Sequence, residues 1–383
     1  MTRRLVIITE IISPYRIPLF NALAQHMDID LHVVFLAETD PGLRQWRVYK
    51  DEIKFSYRVL RSWRKQLGGY NCLLNAGMGR ALESTRPDAI LCGGYNYLAS
   101  WRGLFWARSR SIPFLLWSES NLQDFRGGRA FVELLKTEFL RQCAGFVVPG
   151  RAAREYLQSR RIKNERIFTA VNAVDNELFA RAADAARQHA VQLRIDLGLP
   201  DRYFLFTGRL VREKGVFELL AAYAKLEDTL RRQVGLVFVG DGAARQALEK
   251  ESCEVAPGVI RCVGFAQREQ LAAYYALAEM LILPTYTDTW GLVVNEAMAC
   301  GLPVVLSRAA GCGADLVTEN WNGRIVPSKD VQRLASAMSS LANQPELRAR
   351  MGANSRKRIL DYSPQTWCEG IVRMMESVEE SRG

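Results

Sequence analysis

Three stretches of this 383-residue sequence gather chemistry-bearing side chains at spacings that suit one ligand. The densest is Asp288-Thr289-Trp290-Gly291-Leu292-Val293-Val294-Asn295-Glu296-Ala297-Met298-Ala299-Cys300-Gly301-Leu302-Pro303, which follows the apolar run Leu281–Pro284. Gly291 permits a tight backbone path into a helix. The free N–H groups at that helix start, at Leu292 and Val293, suit a phosphate. Glu296 sits about one turn inside, within reach of a ribose hydroxyl. Asp288, in the preceding loop, can reach hydroxyls further along the same ligand. On spacing alone, two carboxylates that merely cap and solvate a helix explain the pattern equally well.

The second stretch is Phe206-Thr207-Gly208-Arg209-Leu210-Val211-Arg212-Glu213-Lys214-Gly215. A strand ends in a loop carrying Gly208, with Arg209 and Lys214 five residues apart. Arginine offers a planar fork to phosphate oxygens and lysine a movable point charge, so the pair suits a pyrophosphate. Taken alone it is better explained as an ordinary solvated loop. The third stretch, Val239-Gly240-Asp241-Gly242, has the start of a Gly-x-Gly-x-x-Gly fingerprint without its third glycine. A tight strand-to-helix turn explains it better than a nicotinamide site.

Positioning these residues requires alternating strands and helices. Leu5–Thr9, Leu31–Leu36, Ala89–Cys92, Phe114–Trp117 and Gly145–Val148 read as strands buried on both faces; Pro18–Gln25, Asn71–Thr85, Tyr97–Arg108 and Arg129–Gln142 read as helices. The pattern repeats in the strands Tyr203–Thr207, Gly235–Val239, Ile260–Val263, Leu281–Pro284 and Pro303–Leu306. The matching helices are Val216–Leu226, Ala243–Cys253, Arg268–Ala278 and Val293–Ala299. Such βαβα alternation implies parallel sheets covered by helices, and two runs of it imply two doubly wound domains facing a cleft. We expect a first domain over 1–180, an alanine-rich charged linker over 181–200 and a second domain over 201–362. A C-terminal helix over 363–383, strongest at Pro364–Ser377, would pack back across the first domain.

Composition narrows the function classes. The formal net charge is +10, but residues 1–170 hold 26 Lys and Arg against 15 Asp and Glu, a net of +11, while the remainder holds 25 against 26. The excess therefore sits on the first domain, where it suits an anionic partner. No run approaches the ~18 apolar residues of a membrane span. Glu10 interrupts the apolar start after Met1-Thr2-Arg3-Arg4, which argues for a first strand rather than a signal peptide. The eight cysteines lack C-x-x-C spacing and the three histidines are not placed as a metal pair, so neither a disulfide framework nor a metal site is expected.

Together the motifs resemble the family 4 retaining glycosyltransferases of the GT-B fold. The resemblance rests on Gly208-Arg209-Leu210, Glu213-Lys214-Gly215, Val239–Gly242, Val263-Gly264-Phe265, Glu296–Val305 and Asn322-Gly323, in order across residues 203–327. Ser13-Pro14-Tyr15-Arg16-Ile17-Pro18 and Asn172-Ala173-Val174-Asp175…Phe179 are similar to first-domain features of that family. Three departures stand out. Asp288 replaces the first glutamate of the usual Glu-x7-Glu pair. The glycine-rich loop after the first strand is absent. Glu119, in Trp117-Ser118-Glu119-Ser120-Asn121, occupies a segment where many relatives place a histidine beside the sugar, and is a candidate substitute.

The resemblance implies transfer of a sugar from a nucleotide-diphosphate sugar to a hydroxyl acceptor, a lipid-linked or cell-surface glycan precursor, with retention at the anomeric carbon. It assigns catalysis to Asp288, Arg209, Lys214 and Glu119. Nucleotide binding falls to Glu296 at the ribose, to Gly291, Leu292, Val293 and Gly208 at the diphosphate and to Gly264 and Phe265 at the base. No metal and no cofactor beyond the donor is expected, since Arg209, Lys214 and the helix start can neutralise the diphosphate. The alternatives are a GT-B-fold nucleotide-sugar epimerase and a catalytically weak sugar-nucleotide binding protein. Lys54–Lys65, with five cations and three aromatics, and Trp101…Arg110 suit a headgroup region. They lead us to expect a cytoplasmic protein peripheral to an anionic membrane. No nucleic-acid module is present, so nucleic acid is not an expected partner.

Overall fold

The structure, a computed structural model, describes residues 2–42, 44–67, 70–124 and 130–380. The parts of the expectations that touch residues 1, 129 and 381–383 lie outside the described residues. The chain divides into two compact units, Met1–Asn172 with Pro364–Gly383, and Ala173–Ser363.

The first unit contains strands β1 (Arg3–Thr9), β2 (Ile29–Phe35), β3 (Ser56–Val59), β4 (Arg61–Leu67), β5 (Tyr70–Ala76), β6 (Ala89–Cys92), β7 (Phe114–Trp117), β8 (Gly145–Val148) and β9 (Ile167–Thr169). Seven of them form a parallel sheet in the order β3-β2-β1-β6-β7-β8-β9. Strands β6, β7 and β8 are buried at every position, as a sheet covered by helices on both faces demands. The remaining two form an antiparallel hairpin in which Trp63 pairs with Leu74 and Arg64 with Leu73. The helix expected over Asn71–Thr85 is therefore corrected. Its first part is β5, and the helix runs only from Met78 to Thr85. The physical reason is period-2 alternation: Leu73 and Asn75 are buried while Leu74 is 52% exposed.

The second unit contains β10 (Tyr203–Thr207), β11 (Gly235–Val239), β12 (Ile260–Gly264), β13 (Met280–Leu283), β14 (Val304–Ser307) and β15 (Gly323–Val326), all parallel, in the order β12-β11-β10-β13-β14-β15. The expected strands of both halves are present within one or two residues. In each sheet the order reverses once, between β1 and β6 and between β10 and β13. Such switch points open a crevice at the carboxyl ends of the strands, where ligands of doubly wound sheets bind.

The linker expected over 181–200 is corrected as well. This segment is largely helical, in Asn176–Gln188 and Ala190–Leu197, and belongs to the second unit. Alanine favours helix, and Phe179, Ala183 and Ala186 line one buried face. Asp175 caps the first of these helices by accepting from the Leu178 N–H at 3.0 Å. The division between units thus falls after Asn172, eight residues before the expected end of the first domain.

The C-terminal helix, Pro364–Glu380, belongs to the first unit. Its Trp367 is fully buried, with its ring 5.9 Å from that of Phe20 and 5.4 Å from that of Trp117. Among the described residues no helix is long and apolar enough to cross a membrane.

Candidate active site

The candidate residues of the second unit lie in loops at the carboxyl ends of β10, β12 and β13, on the edge of the sheet that carries the switch point. Backbone hydrogen bonds hold these loops in register. Gly208 N–H donates to Val239 O at 3.0 Å, Gly240 N–H to Gly264 O at 2.8 Å, and Tyr286 N–H to Glu213 O at 2.8 Å. Gly240 has no room for a side chain, because a Cβ there would stand 1.9 Å from Gly208 O, at a φ of +141°. The Gly240-x-Gly242 pair thus serves loop packing, as a tight turn requires.

The loop after β10 passes through Arg209, turns at Arg212–Lys214 and enters the helix Val216–Ala224. The Thr285 hydroxyl donates to the carbonyl of Glu213 at 3.1 Å, tying this loop to the one after β13. As a result Lys214 meets Asp288. The ammonium and the carboxylate form an ion pair, with their side chains 16% and 14% exposed. Arg209 is exposed and forms no ion pair among the described residues.

The Asp288 loop is held from behind. Gly311 N–H donates to Asp288 O at 3.0 Å and Cys312 N–H to Trp290 O at 3.0 Å. The buried Trp290 indole donates to Asn295 Oδ1 at 2.9 Å. Gly291 then takes a φ of +98°, a left-handed conformation that opens the helix Leu292–Ala299. The N–H groups of Leu292 and Val293 are the first of that helix and, as helix-start donors, have no partner within it.

Glu296 projects one turn further on. Tyr275, fully buried on the helix Arg268–Leu277, places its hydroxyl 2.7 Å from Glu296 Oε2 and 2.9 Å from Thr207 Oγ1. An ionised carboxylate only accepts, so Tyr275 donates to Glu296 and accepts from Thr207. Burial pushes the Glu296 carboxyl up to about 7, and the Tyr275 hydroxyl opposes that rise. Burial, with the Glu296 charge beside it, raises Tyr275 well above the ordinary phenol range. Tyr275 escaped the sequence reading because a tyrosine on a helix of apolar periodicity looks like core. Gly264 has a φ of +84° at the end of β12, and the Phe265 ring beyond it is 40% exposed.

Glu119 belongs to the first unit, just beyond β7. Its Oε1 is 3.7 Å from the Arg16 guanidinium and accepts from Asn172 Nδ2 at 3.2 Å. Arg16 lies 4.6 Å over the Trp117 ring and donates to Thr9 Oγ1 at 2.6 Å. Thr9 ends β1, so Arg16 and Glu119 stand at the switch point of the first sheet, within two stretches already singled out in the sequence. Among the described residues no three His, Cys, Asp or Glu side chains gather as a metal site.

Residues 193–358 match the family model of the glycosyl transferases, group 1. This stretch belongs to that family. It covers most of the second unit, including Arg209, Lys214, Asp288 and Glu296. A D-inositol 3-phosphate glycosyltransferase from Corynebacterium jeikeium is 32% identical over 213 residues, 53% of this chain and 50% of that protein. The alpha-D-kanosaminyltransferase of Streptomyces kanamyceticus is 31% identical over 217 residues, 55% and 54% of the two chains. The chain thus spans about half the length of the curated relatives it matches. Among solved structures, Anabaena HepE in complex with UDP and glucose has a TM-score of 0.77 at 16% identity, over 98% of this chain and 100% of that one. Sucrose-phosphate synthase from Thermosynechococcus elongatus has a TM-score of 0.74 at 20% identity, over 99% and 100%. The group 1 domain and its partner unit therefore have the fold class expected from the sequence, GT-B with two doubly wound Rossmann-like halves.

Proposed function

We propose that this protein is a retaining glycosyltransferase that moves a sugar from a nucleotide-diphosphate sugar to a hydroxyl acceptor. The observation that carries the reading is the arrangement at the second sheet's switch point. Asp288, paired with Lys214 of the loop after β10, the start of the helix Leu292–Ala299 and Glu296 follow one another along the loop and helix after β13. Helix-start N–H groups with Arg209 and Lys214 provide for the diphosphate. Glu296, held by Tyr275, accepts the ribose hydroxyls. Asp288 accepts hydroxyls of the sugar, and Gly264 and Phe265 border the base. HepE is the reason to take UDP as the first nucleotide to try.

In the reaction the bond from the anomeric carbon to the departing phosphate oxygen breaks and a bond to the acceptor oxygen forms. The acceptor's proton passes to the departing diphosphate. Retention by attack on the leaving group's own face fits the carboxylates present. Asp288 is given to the sugar hydroxyls and Glu296 to the ribose, so neither carboxylate of the second unit is assigned the part of nucleophile. Glu119, beside Arg16 in the first unit, is a further proposed catalytic residue. Arg209 and Lys214 supply the counter-charge that a metal supplies elsewhere. The acceptor we propose is a lipid-linked or cell-surface glycan precursor.

A panel of nucleotide sugars screened by thermal shift identifies the donor, since a bound ligand raises stability by mass action. The donor is then incubated with and without candidate acceptors, and the product's anomeric configuration is read by NMR. Transfer with retention supports the proposal. Inversion overturns the mechanism, and a new isomeric nucleotide sugar formed without acceptor makes the protein an epimerase.

A further inference from the structure

Two elements of the first unit leave apolar side chains in solvent within stretches of sequence that hold no acidic residue, although Arg64 pairs with Asp40 and Arg110 with Glu83 from outside them. From Ile53 to Leu82, and again from Ala89 to Ser118, the sequence has no Asp or Glu, while the two stretches carry nine Lys and Arg. The first holds the β4–β5 hairpin and the second holds the helix Leu98–Arg108.

The structure sorts the aromatics of these stretches into two groups. Phe55 is buried, with its ring 5.5 Å from that of Phe20, and Tyr57 leans on Phe35 at 5.9 Å, so both serve packing. Trp101 packs on Phe139 at 4.9 Å. Trp63 instead is 61% exposed and pairs across the hairpin with Leu74, which is 52% exposed. On the helix, Leu98 is 50% and Phe105 is 58% exposed. These two are seven residues apart and share a face with Arg102, which lies between them. Arg102 joins the elements by donating to the backbone carbonyl of Asn75, next to Leu74, at 2.9 Å.

We propose that the outer face of the β4–β5 hairpin and the adjoining face of the helix Leu98–Arg108 form a docking surface for an anionic phospholipid bilayer. Trp63, Leu74, Leu98 and Phe105 enter the headgroup layer, where an indole and other apolar groups are favoured. Arg61 and Lys65 are exposed on the same face of β4 as Trp63 and form no ion pair among the described residues, so their charge is available to lipid phosphates. A second copy of this chain is a poor occupant, because two such faces would bring like charges together. The docking surface does not depend on the donor chemistry proposed for the other unit.

The test is co-sedimentation of the full chain with vesicles of phosphatidylcholine alone and of phosphatidylcholine with 30% phosphatidylglycerol. Wild type is expected to pellet with the anionic vesicles, to do so less at higher salt and to stay in solution with the neutral ones. Arg61→Ala with Lys65→Ala is expected to lower partitioning about thirtyfold, at about five- to sixfold per basic residue near anionic headgroups. Trp63→Ser with Phe105→Ser is expected to lower it at least tenfold. Thermal unfolding and the UDP-induced thermal shift, measured on the same samples, are expected to stay at wild-type values and report fold and donor site separately. Equal recovery with both vesicle types overturns the proposal, as does wild-type partitioning by both double variants. A dimer in solution that these variants dissociate, without effect on vesicle binding, assigns the face to self-association instead.

Discussion

Replacing Glu296 by Gln tests whether the fold holds this carboxyl neutral. Burial raises it to about 7, from an ordinary value of 4.5. A raised acid means that the folded state favours the neutral form. The associated stability is therefore complete below pH 4.5, declines as the pH rises through 7 and levels off above it. Each pKa unit corresponds to about 1.36 kcal/mol, so the total is about 3 kcal/mol, of which about 2.5 kcal/mol falls between pH 5 and pH 9. Glu296 as a residue is only partly buried, so water trims this figure and about 2.5 kcal/mol is its ceiling. Glutamine keeps the shape and the contact to Tyr275 but never ionises. The assay is urea unfolding of both proteins across this pH range, with stability extrapolated to water. Glu296→Gln is expected to gain on wild type as the pH rises, by up to about 2.5 kcal/mol, most of it between pH 5 and pH 7 and with a plateau above. Donor affinity should change in the opposite sense. It rises through pH 7 in wild type, as the carboxylate becomes able to accept two ribose hydroxyls, and stays flat in the variant. Parallel stability curves would refute the reasoning, because the carboxyl would then titrate alike in folded and unfolded chains.

Tyr275→Phe removes a hydrogen bond to a charged acceptor and is expected to cost about 1.5–3 kcal/mol at pH 8.5 but only about 1 kcal/mol at pH 5, where the acid is neutral; equal losses at both pH values in urea unfolding would reduce Tyr275 to packing. Lys214→Met takes the ion-pair partner from the largely buried Asp288 and is expected to cost about 3 kcal/mol, most of it recovered when Asp288→Leu is added. A double-mutant cycle by denaturation checks this, and additive losses would mean that the two side chains do not interact. Arg209→Ala touches no described ion pair, so thermal unfolding should stay at the wild-type value while kcat/KM for transfer falls about a hundredfold, as for loss of one cation at a developing negative charge. Unchanged kcat/KM would remove Arg209 from the site.

What could be read from the sequence follows from what each element had to bury. Strands such as Ala89–Cys92 and Tyr203–Thr207 are covered on both faces, so they appear as unbroken apolar runs between helical patterns. The Gly208–Gly215 and Asp288–Pro303 loops were legible because a glycine, a helix start and charges must follow one another closely along the chain. The hairpin was not. Only one face of β5 is covered, and its short alternation of Cys72, Leu73, Leu74 and Asn75 also fits an amphipathic helix. The Gly68-Gly69 pair in the sequence was the available hairpin signal. Residues 181–200 look like a linker because their buried positions are largely alanines, whose small side chains leave a weak apolar pattern. The Lys214–Asp288 pair joins residues 74 positions apart, and no local pattern reports such a contact.

That pair bears on how a chain with ten excess positive charges keeps its second unit almost neutral. A lysine and an aspartate held largely out of water are tolerable only together, since either alone would face the full cost of desolvation. Each neutralises the other, and the loops after β10 and β13 are held in register. If a diphosphate binds at the helix start Leu292–Val293 as proposed, it brings a second negative charge to the side of Lys214. Lys214 can then turn to phosphate without becoming unpaired, and the released Asp288 carboxylate gains acceptor capacity for sugar hydroxyls. A shorter carboxylate than glutamate holds Lys214 closer to the loop and reaches less far. Asp288→Glu is therefore expected to alter the ranking of donor sugars more than the affinity for the free nucleotide diphosphate. Competition binding of UDP against a panel of UDP-sugars measures both quantities on one protein. An unchanged sugar ranking with a changed UDP affinity would place position 288 at the phosphates instead of the sugar.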